Sequence, residues 1–67
     1  MVWDYWAAVF GERSQRDVVR EAAKVGCSIE EYIAASVAIA ADQDADGTLD
    51  PVLAAADIMR QMPSHPA

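Results

Sequence analysis

Helix start signals divide this chain into short helical segments. Ser28 is followed three residues later by Glu31. This is a capping box, in which each side chain accepts a hydrogen bond from the backbone N–H of the other residue. Asp50 followed by Pro51 is a second start signal, because aspartate caps the first turn and proline fits the first helical position. We therefore predict helices that begin at Ile29 and at Pro51.

Two further helices are expected upstream. Ser14 is a residue type that caps helices, with Asp17 at the third position, and Gly26 can adopt the left-handed conformation that ends a helix. In the segment 2–10, Trp3, Trp6 and Phe10 stand at helical spacing, but the composition is also strand-like. We interpret the segment as a short helix that ends at Gly11, with its aromatic side chains filling the core.

The helix after Ser28 is apolar on nearly every side, because alanines fill the positions between its larger apolar residues. Its main face consists of Ile29, Tyr32, Ile33, Ser36, Val37 and Ala40. We expect it to run to about Ala41 and to be the central, buried helix. The helix after Asp50 should stop at Pro63. Its apolar face is predicted to contain Val52, Ala55, Ala56, Met59 and Met62.

Length limits the chain to one domain, since it has 67 residues. We predict an all-α fold, a compact bundle of three or four short helices over residues 1–62, followed by a disordered tail at 63–67. The tail contains His65, which is most simply a solvated side chain. A core this small benefits from a metal, a partner or a disulfide. Cys27 is the only cysteine, so a disulfide within the chain is excluded.

The charge balance excludes several classes of function. Eleven acidic residues against five basic ones give a formal net charge of −6. Direct binding to nucleic acid is not expected, because it needs basic residues against the phosphates. No apolar run approaches the ~20 residues of a membrane span, and Asp4 stands where a signal peptide is basic. We expect a cytoplasmic protein that is not an enzyme, because Cys27 has no histidine partner in a plausible dyad.

Much of the acidity is concentrated in one loop. Residues 42–50 contain four aspartates and no basic residue. Counted from Asp42, glycine is at the sixth position and leucine at the eighth. The pattern resembles the loop of the EF-hand family, whose oxygen ligands bind calcium. The resemblance implies a calcium site made of Asp42, Asp44, Asp46, Thr48 and Asp50. The position where that family has a bidentate glutamate holds Leu53, so binding should be weak, with a dissociation constant near or beyond ~10⁻³ M.

The EF-hand resemblance extends over about sixty residues, as a degenerate pair of calmodulin-like hands in which the first loop, 11–17, binds no cation. It implies an interaction module whose calcium binding would reorient the last helix and change the exposure of Met59 and Met62. The partner would be a protein with a basic or apolar surface. Without a cation, the same acidic residues would form a solvated connection between two helices.

Two other functions remain open. Residues 16–41 resemble the two helices of ribbon-helix-helix proteins, such as antitoxins and plasmid-mobilisation accessory proteins. The matching residues are Arg20-Glu21-Ala22-Ala23, Gly26, Ser28, Tyr32-Ile33 and Ala40-Ala41. That resemblance implies a homodimer, with residues 2–10 as the paired strand, although the strand lacks the basic residues that read DNA. Alternatively, an acidic bundle of this kind could act as an inhibitor that covers the basic surface of a nucleic-acid-binding protein.

Overall fold

The computed structural model describes residues 5–62, and all regular structure in that range is helical. The four helices are α1 (Tyr5–Phe10), α2 (Gln15–Val25), α3 (Ile29–Gln43) and α4 (Pro51–Gln61). The prediction of a small all-α bundle is confirmed. The predictions for Trp3, for the stop at Pro63 and for a tail at 63–67 lie outside the described residues.

The predicted start signals form the expected hydrogen bonds. Ser28 Oγ accepts from the Glu31 N–H at 3.1 Å, and Glu31 Oε1 accepts from the Ser28 N–H at 3.1 Å. Ser14 and Asp17 form the same reciprocal pair at the start of α2, at 3.2 and 3.1 Å. Hydrogen bonds from the backbone N–H of each serine favour the ionised carboxylate, so the pKa values of Asp17 and Glu31 lie below their ordinary values.

The remaining helix boundaries also follow the sequence. Gly26 ends α2 in the left-handed conformation, at φ 88°, and its N–H donates to the Ala22 carbonyl at 2.9 Å. Asp50 caps α4, since its Oδ1 accepts from the N–H groups of Val52 and Leu53 at 2.9 and 3.3 Å. α3 continues two residues beyond the predicted end, to Gln43.

The ambiguous first segment is helical where it is described. The Trp6 indole N–H donates to the Arg13 carbonyl at 2.7 Å, which ties α1 to the loop that follows it. Phe10 is buried between Trp6 and Tyr32, with ring centroids 4.8 and 6.4 Å away. The aromatic side chains thus fill the core as predicted. Residues 5–10 form a helix where the ribbon-helix-helix resemblance implies a strand.

α3 is the central helix, because it packs against α1, α2 and α4. α1 also packs against α4. A separate hydrogen bond links α2 to α4, in which the Gln15 side-chain amide donates to the Gln61 carbonyl. The predicted main face of α3 points inward, with Ile33 and Val37 buried. The expected burial of this helix applies to that face alone, because its alanine side and Ile39 lie at the surface. The core cluster consists of Tyr5, Phe10, Val18, Ile33, Val37, Ala54, Ile58 and Met62.

α4 is rotated relative to the face predicted for it. Its buried side contains Ala54, Asp57 and Ile58, whereas Val52 and Met59 are exposed. The apolar spacing of this helix fits two different faces, and an aspartate on one of them makes that face look polar. Asp57 is accommodated because its two carboxylate oxygens accept hydrogen bonds from the Arg60 and Gln61 side chains, both at 3.1 Å.

The burial difference within α3 gives a direct test of the core. Ile33 is 0% exposed and Ile39 is 59% exposed on the same helix. Replacing Ile33→Val should lower the free energy of unfolding by about 0.5–1.5 kcal/mol, because it removes a buried methylene group. Ile39→Val is the matched control and should change stability by less than about 0.5 kcal/mol. Urea unfolding followed by circular dichroism measures both, and equal effects would contradict this packing.

Candidate functional site

The acidic residues predicted to bind calcium lie on three different elements. Asp42 is in the last turn of α3, where its side chain is exposed. Asp44 is the C-cap of α3, and Asp46 and Thr48 follow in the loop. Asp50 is the N-cap of α4. The loop therefore forms the helix–loop–helix connection that the sequence predicts.

Asp44 organises this loop through its own carboxylate. Oδ2 accepts from the Leu49 N–H at 2.8 Å and from the Thr48 hydroxyl at 3.3 Å, and Oδ1 accepts from the Asp46 N–H at 3.3 Å. Gly47 makes the turn, at φ 67°, and donates its N–H to the Asp44 carbonyl at 3.1 Å. These hydrogen bonds, that from Leu49 above all, hold the pKa of Asp44 below its ordinary value.

The loop geometry does not gather the five predicted ligands around one point. Within residues 5–62, no group of three or more His, Cys, Asp or Glu side chains has the arrangement of a metal site. The carboxylate of Asp50 is engaged by the first turn of α4, and that of Asp44 is engaged by the loop itself. The shape of the loop is thus explained by hydrogen bonds, and calcium binding stays a prediction.

A groove runs between α1 and the second half of α3 and ends at this loop. Its volume is about 650 Å³, within the range of ligand-binding clefts. Four positions of α3 at helical spacing line it, from Ser36 to Gln43, so that wall is about 10 Å long. The apolar part of the lining consists of Tyr5, Ala8, Val9, Phe10, Ile39, Ala40 and Leu49.

The two ends of the groove carry opposite charge. Arg13 lines it towards the start of α3, and its guanidinium donates to the hydroxyl of Tyr32, in the first turn of that helix, at 3.5 Å. Asp44 lines the other end, and the exposed side chains of Asp42 and Asp46 lie two residues away on either side. Because these carboxylates are close together in sequence and only partly screened by solvent, they make that end of the groove strongly negative.

The lining of the groove combines its apolar residues with the polar side chains of Arg13, Ser36, Gln43, Asp44 and Thr48. In the described part of the chain, every buried side-chain nitrogen or oxygen has a hydrogen-bond partner. The carboxylate of Asp44 already accepts hydrogen bonds from Thr48 and Leu49 within the loop. Recognition of a small polar molecule needs convergent, unsatisfied polar groups. The groove is instead suited to apolar side chains flanked by charges that match its two ends.

Sequence reasoning identified the acidic loop but not the groove. Ile39 lies on α3 outside the predicted main face, and the spacing of apolar residues alone does not show that α1 leaves it uncovered. The interpretation of Asp44 as a ligand overlooked its role in the loop. In an Asx turn, the side chain of an aspartate accepts a hydrogen bond from the backbone N–H two residues later, as Asp44 does from Asp46. Aspartate is a typical residue of such turns, and this is the signal that the sequence contains.

Comparisons of the chain with models of known families, with curated proteins and with solved structures gave no match. The EF-hand and ribbon-helix-helix resemblances therefore rest on the residues quoted above. None of the helices described between residues 5 and 62 has the length and apolar character needed to cross a membrane.

The lowered pKa of Asp44 predicts a local effect of acid. A carboxylate whose pKa is lower in the folded chain than in the unfolded one stabilises the fold above the unfolded value, and this contribution is lost as pH falls through the folded value. Hydrogen exchange at the Leu49 amide should therefore accelerate, relative to intrinsic rates, as pH falls below about 4. Protonation of Asp17 and Glu31, whose pKa values are also lowered, destabilises the whole fold over a similar range of pH. Exchange at the Leu49 amide must therefore be compared with exchange at core amides of α3.

The substitution Asp44→Asn separates the local effect from the global one. It removes the ionisable group, so the Leu49 amide should be less protected at neutral pH and should follow the α3 core amides in acid. Asp46→Asn is the matched control, because the Asp46 side chain is exposed and its backbone supplies the contact to Asp44. An Asp44→Asn protein with the acid response of the original chain would rule out this assignment.

Proposed function

We propose that this protein is a small acidic interaction module that binds a protein partner in the groove between α1 and α3. The observation that carries the proposal is Ile39, a large apolar side chain that is exposed and lines the groove beside Val9 and Leu49. Exposed apolar side chains in a concave surface, bounded by charge, are typical of sites that bind proteins.

The chemistry of the groove favours an amphipathic helix as the occupant. The wall from Ser36 to Gln43 spans two helical turns, which suits apolar side chains at positions i, i+3, i+4 and i+7 of a partner helix. Basic residues at one end of that helix would face Asp42, Asp44 and Asp46, and an acidic residue at the other end would face Arg13. With the acid in the first turn and the bases in the last, these charges also stabilise the partner helix itself.

A synthetic peptide of about three helical turns tests this proposal. It carries leucines at i, i+3, i+4 and i+7, a glutamate in its first turn and lysines in its last. Binding should shift the backbone amide resonances of Ala8, Ile39 and Leu49, and should weaken with added salt because the charges at the ends are exposed. A second peptide with serines in place of the leucines should bind much more weakly, since only the charges remain.

Variants of the protein locate the site. Ile39→Gln should weaken peptide binding by about five- to tenfold, which corresponds to about 1 kcal/mol of lost apolar burial. Val25→Gln is the matched control, because Val25 is also exposed but lies at the end of α2, outside the groove. Shifts that cluster elsewhere, or equal affinity of the Ile39→Gln and original proteins, would reject the groove as the binding site.

Weak calcium binding by the acidic loop is part of the same proposal. Leu49 lines the groove and is held by the Asp44 carboxylate, so any change in the hydrogen bonds of Asp44 changes one wall of the groove. In this arrangement the coupling to the partner runs through Leu49. Met62 is buried and Met59 is exposed on α4, and neither of them lines the groove.

A titration with calcium and magnesium in the millimolar range checks the cation prediction. Calcium should shift the Gly47 amide resonance with a dissociation constant near or above ~10⁻³ M, because Leu53 supplies no carboxylate. Asp46→Asn should weaken the response further, since it removes one of the predicted oxygen charges. A Gly47 amide that does not move in calcium, or that moves equally in sodium of the same ionic strength, would end the calcium hypothesis.

A further inference from the structure

The outer face of α4 is a second exposed apolar surface, separate from the groove. Val52 is 75% exposed, Leu53 56% and Met59 38%. Val52, Ala56 and Met59 follow the i, i+4, i+7 spacing of one helix face, with Leu53 beside them. The opposite side of α4 is already buried in the core through Ala54 and Ile58. Within residues 5–62, the outer face therefore leaves much of its apolar surface uncovered.

This face is also free of exposed carboxylates, although the chain has a net charge of −6. Asp57 is the only acidic residue between Pro51 and Gln61; it lies on the buried side and forms an ion pair with Arg60 at 3.1 Å. The side chain of Arg60 is 72% exposed. Two copies of this chain that meet through this face therefore bring no exposed carboxylates of α4 against each other.

We propose that two copies of this chain associate through the outer faces of α4, as an antiparallel helix pair with its two-fold axis at Ala56. This pairing places Leu53 of one copy opposite Met59 of the other, and the small side chain of Ala56 allows the helices to approach closely. Arg60 lies opposite Val52, and Asp50 is two residues, about 3 Å, farther along the axis. The exposed guanidinium can therefore reach the carboxylate at the start of the second copy's α4.

The expected dimer is weak and depends on salt in a characteristic way. α4 has 11 residues and is about 16 Å long, so the interface falls at the small end of specific interfaces. A dissociation constant between about 1 μM and 1 mM corresponds to such an interface. Added salt should strengthen the dimer, because the repulsion that it screens between two chains of charge −6 is larger than the attraction that it screens in the two Arg60–Asp50 pairs. Added salt has the opposite effect on a complex of the groove with a basic partner, which it weakens.

Sedimentation equilibrium over micromolar to millimolar protein, at low and high salt, tests the proposal. The original chain should show a concentration-dependent dimer that is tighter at high salt. Ala56→Glu should weaken it by about tenfold or more, because the two introduced carboxylates meet at the axis. Ala23→Glu is the matched control: it adds the same charge on an exposed position of α2 and should leave the dimer nearly unchanged.

Circular dichroism of Ala56→Glu and Ala23→Glu, which should both retain the helical spectrum, ensures that the comparison concerns association and not folding. A chain that stays monomeric at millimolar concentration and high salt would overturn the proposal. So would an Ala56→Glu protein that dimerises as tightly as the original. A dimer that is lost in Ile39→Gln but kept in Ala56→Glu would assign the contact to the groove, and would equally reject the α4 interface.

Discussion

Every part of this fold depends on the contact of α3 with the three other helices. Ile33 and Val37 are buried where those helices meet, so the core has a single centre. A chain of 67 residues has few side chains to place there. Once they are used, the rest of α3 is left at the surface, and one part of that surface, around Ile39, becomes the wall of the groove. The small size of the core and the presence of an apolar groove thus have the same origin.

The helix boundaries were predictable because they depend on local hydrogen bonds. Ser14, Ser28 and Asp50 cap the helices that follow them, as their neighbours in sequence indicate. The orientation of α4 was not predictable in the same way, since its apolar residues fit two faces and the choice depends on tertiary packing. Asp57 makes the buried face look polar in the sequence. Its hydrogen bonds from the Arg60 and Gln61 side chains, which allow its burial, are seen only in the folded helix.

The candidate site was only partly predictable, for a related reason. The acidic loop is visible in the sequence, and its position between α3 and α4 follows from the caps on either side. The groove brings residues of α1 together with residues of α3 and of the loop that are distant in sequence, such as Val9 and Leu49. A single sequence contains no signal for that juxtaposition. The Asp44–Leu49 hydrogen bond links the negative charge of the loop to the apolar wall of the groove.

The packing of α1 has a consequence for the order in which the molecule forms. α1 has six residues, too few to be stable as an isolated helix, and it packs against α3 and α4. The contacts of α1 are therefore complete only after α4 has packed. Bringing α1 and α4 together closes the segment of chain between them, which costs conformational entropy. The groove, which needs α1 as a wall, is then the last feature to be finished.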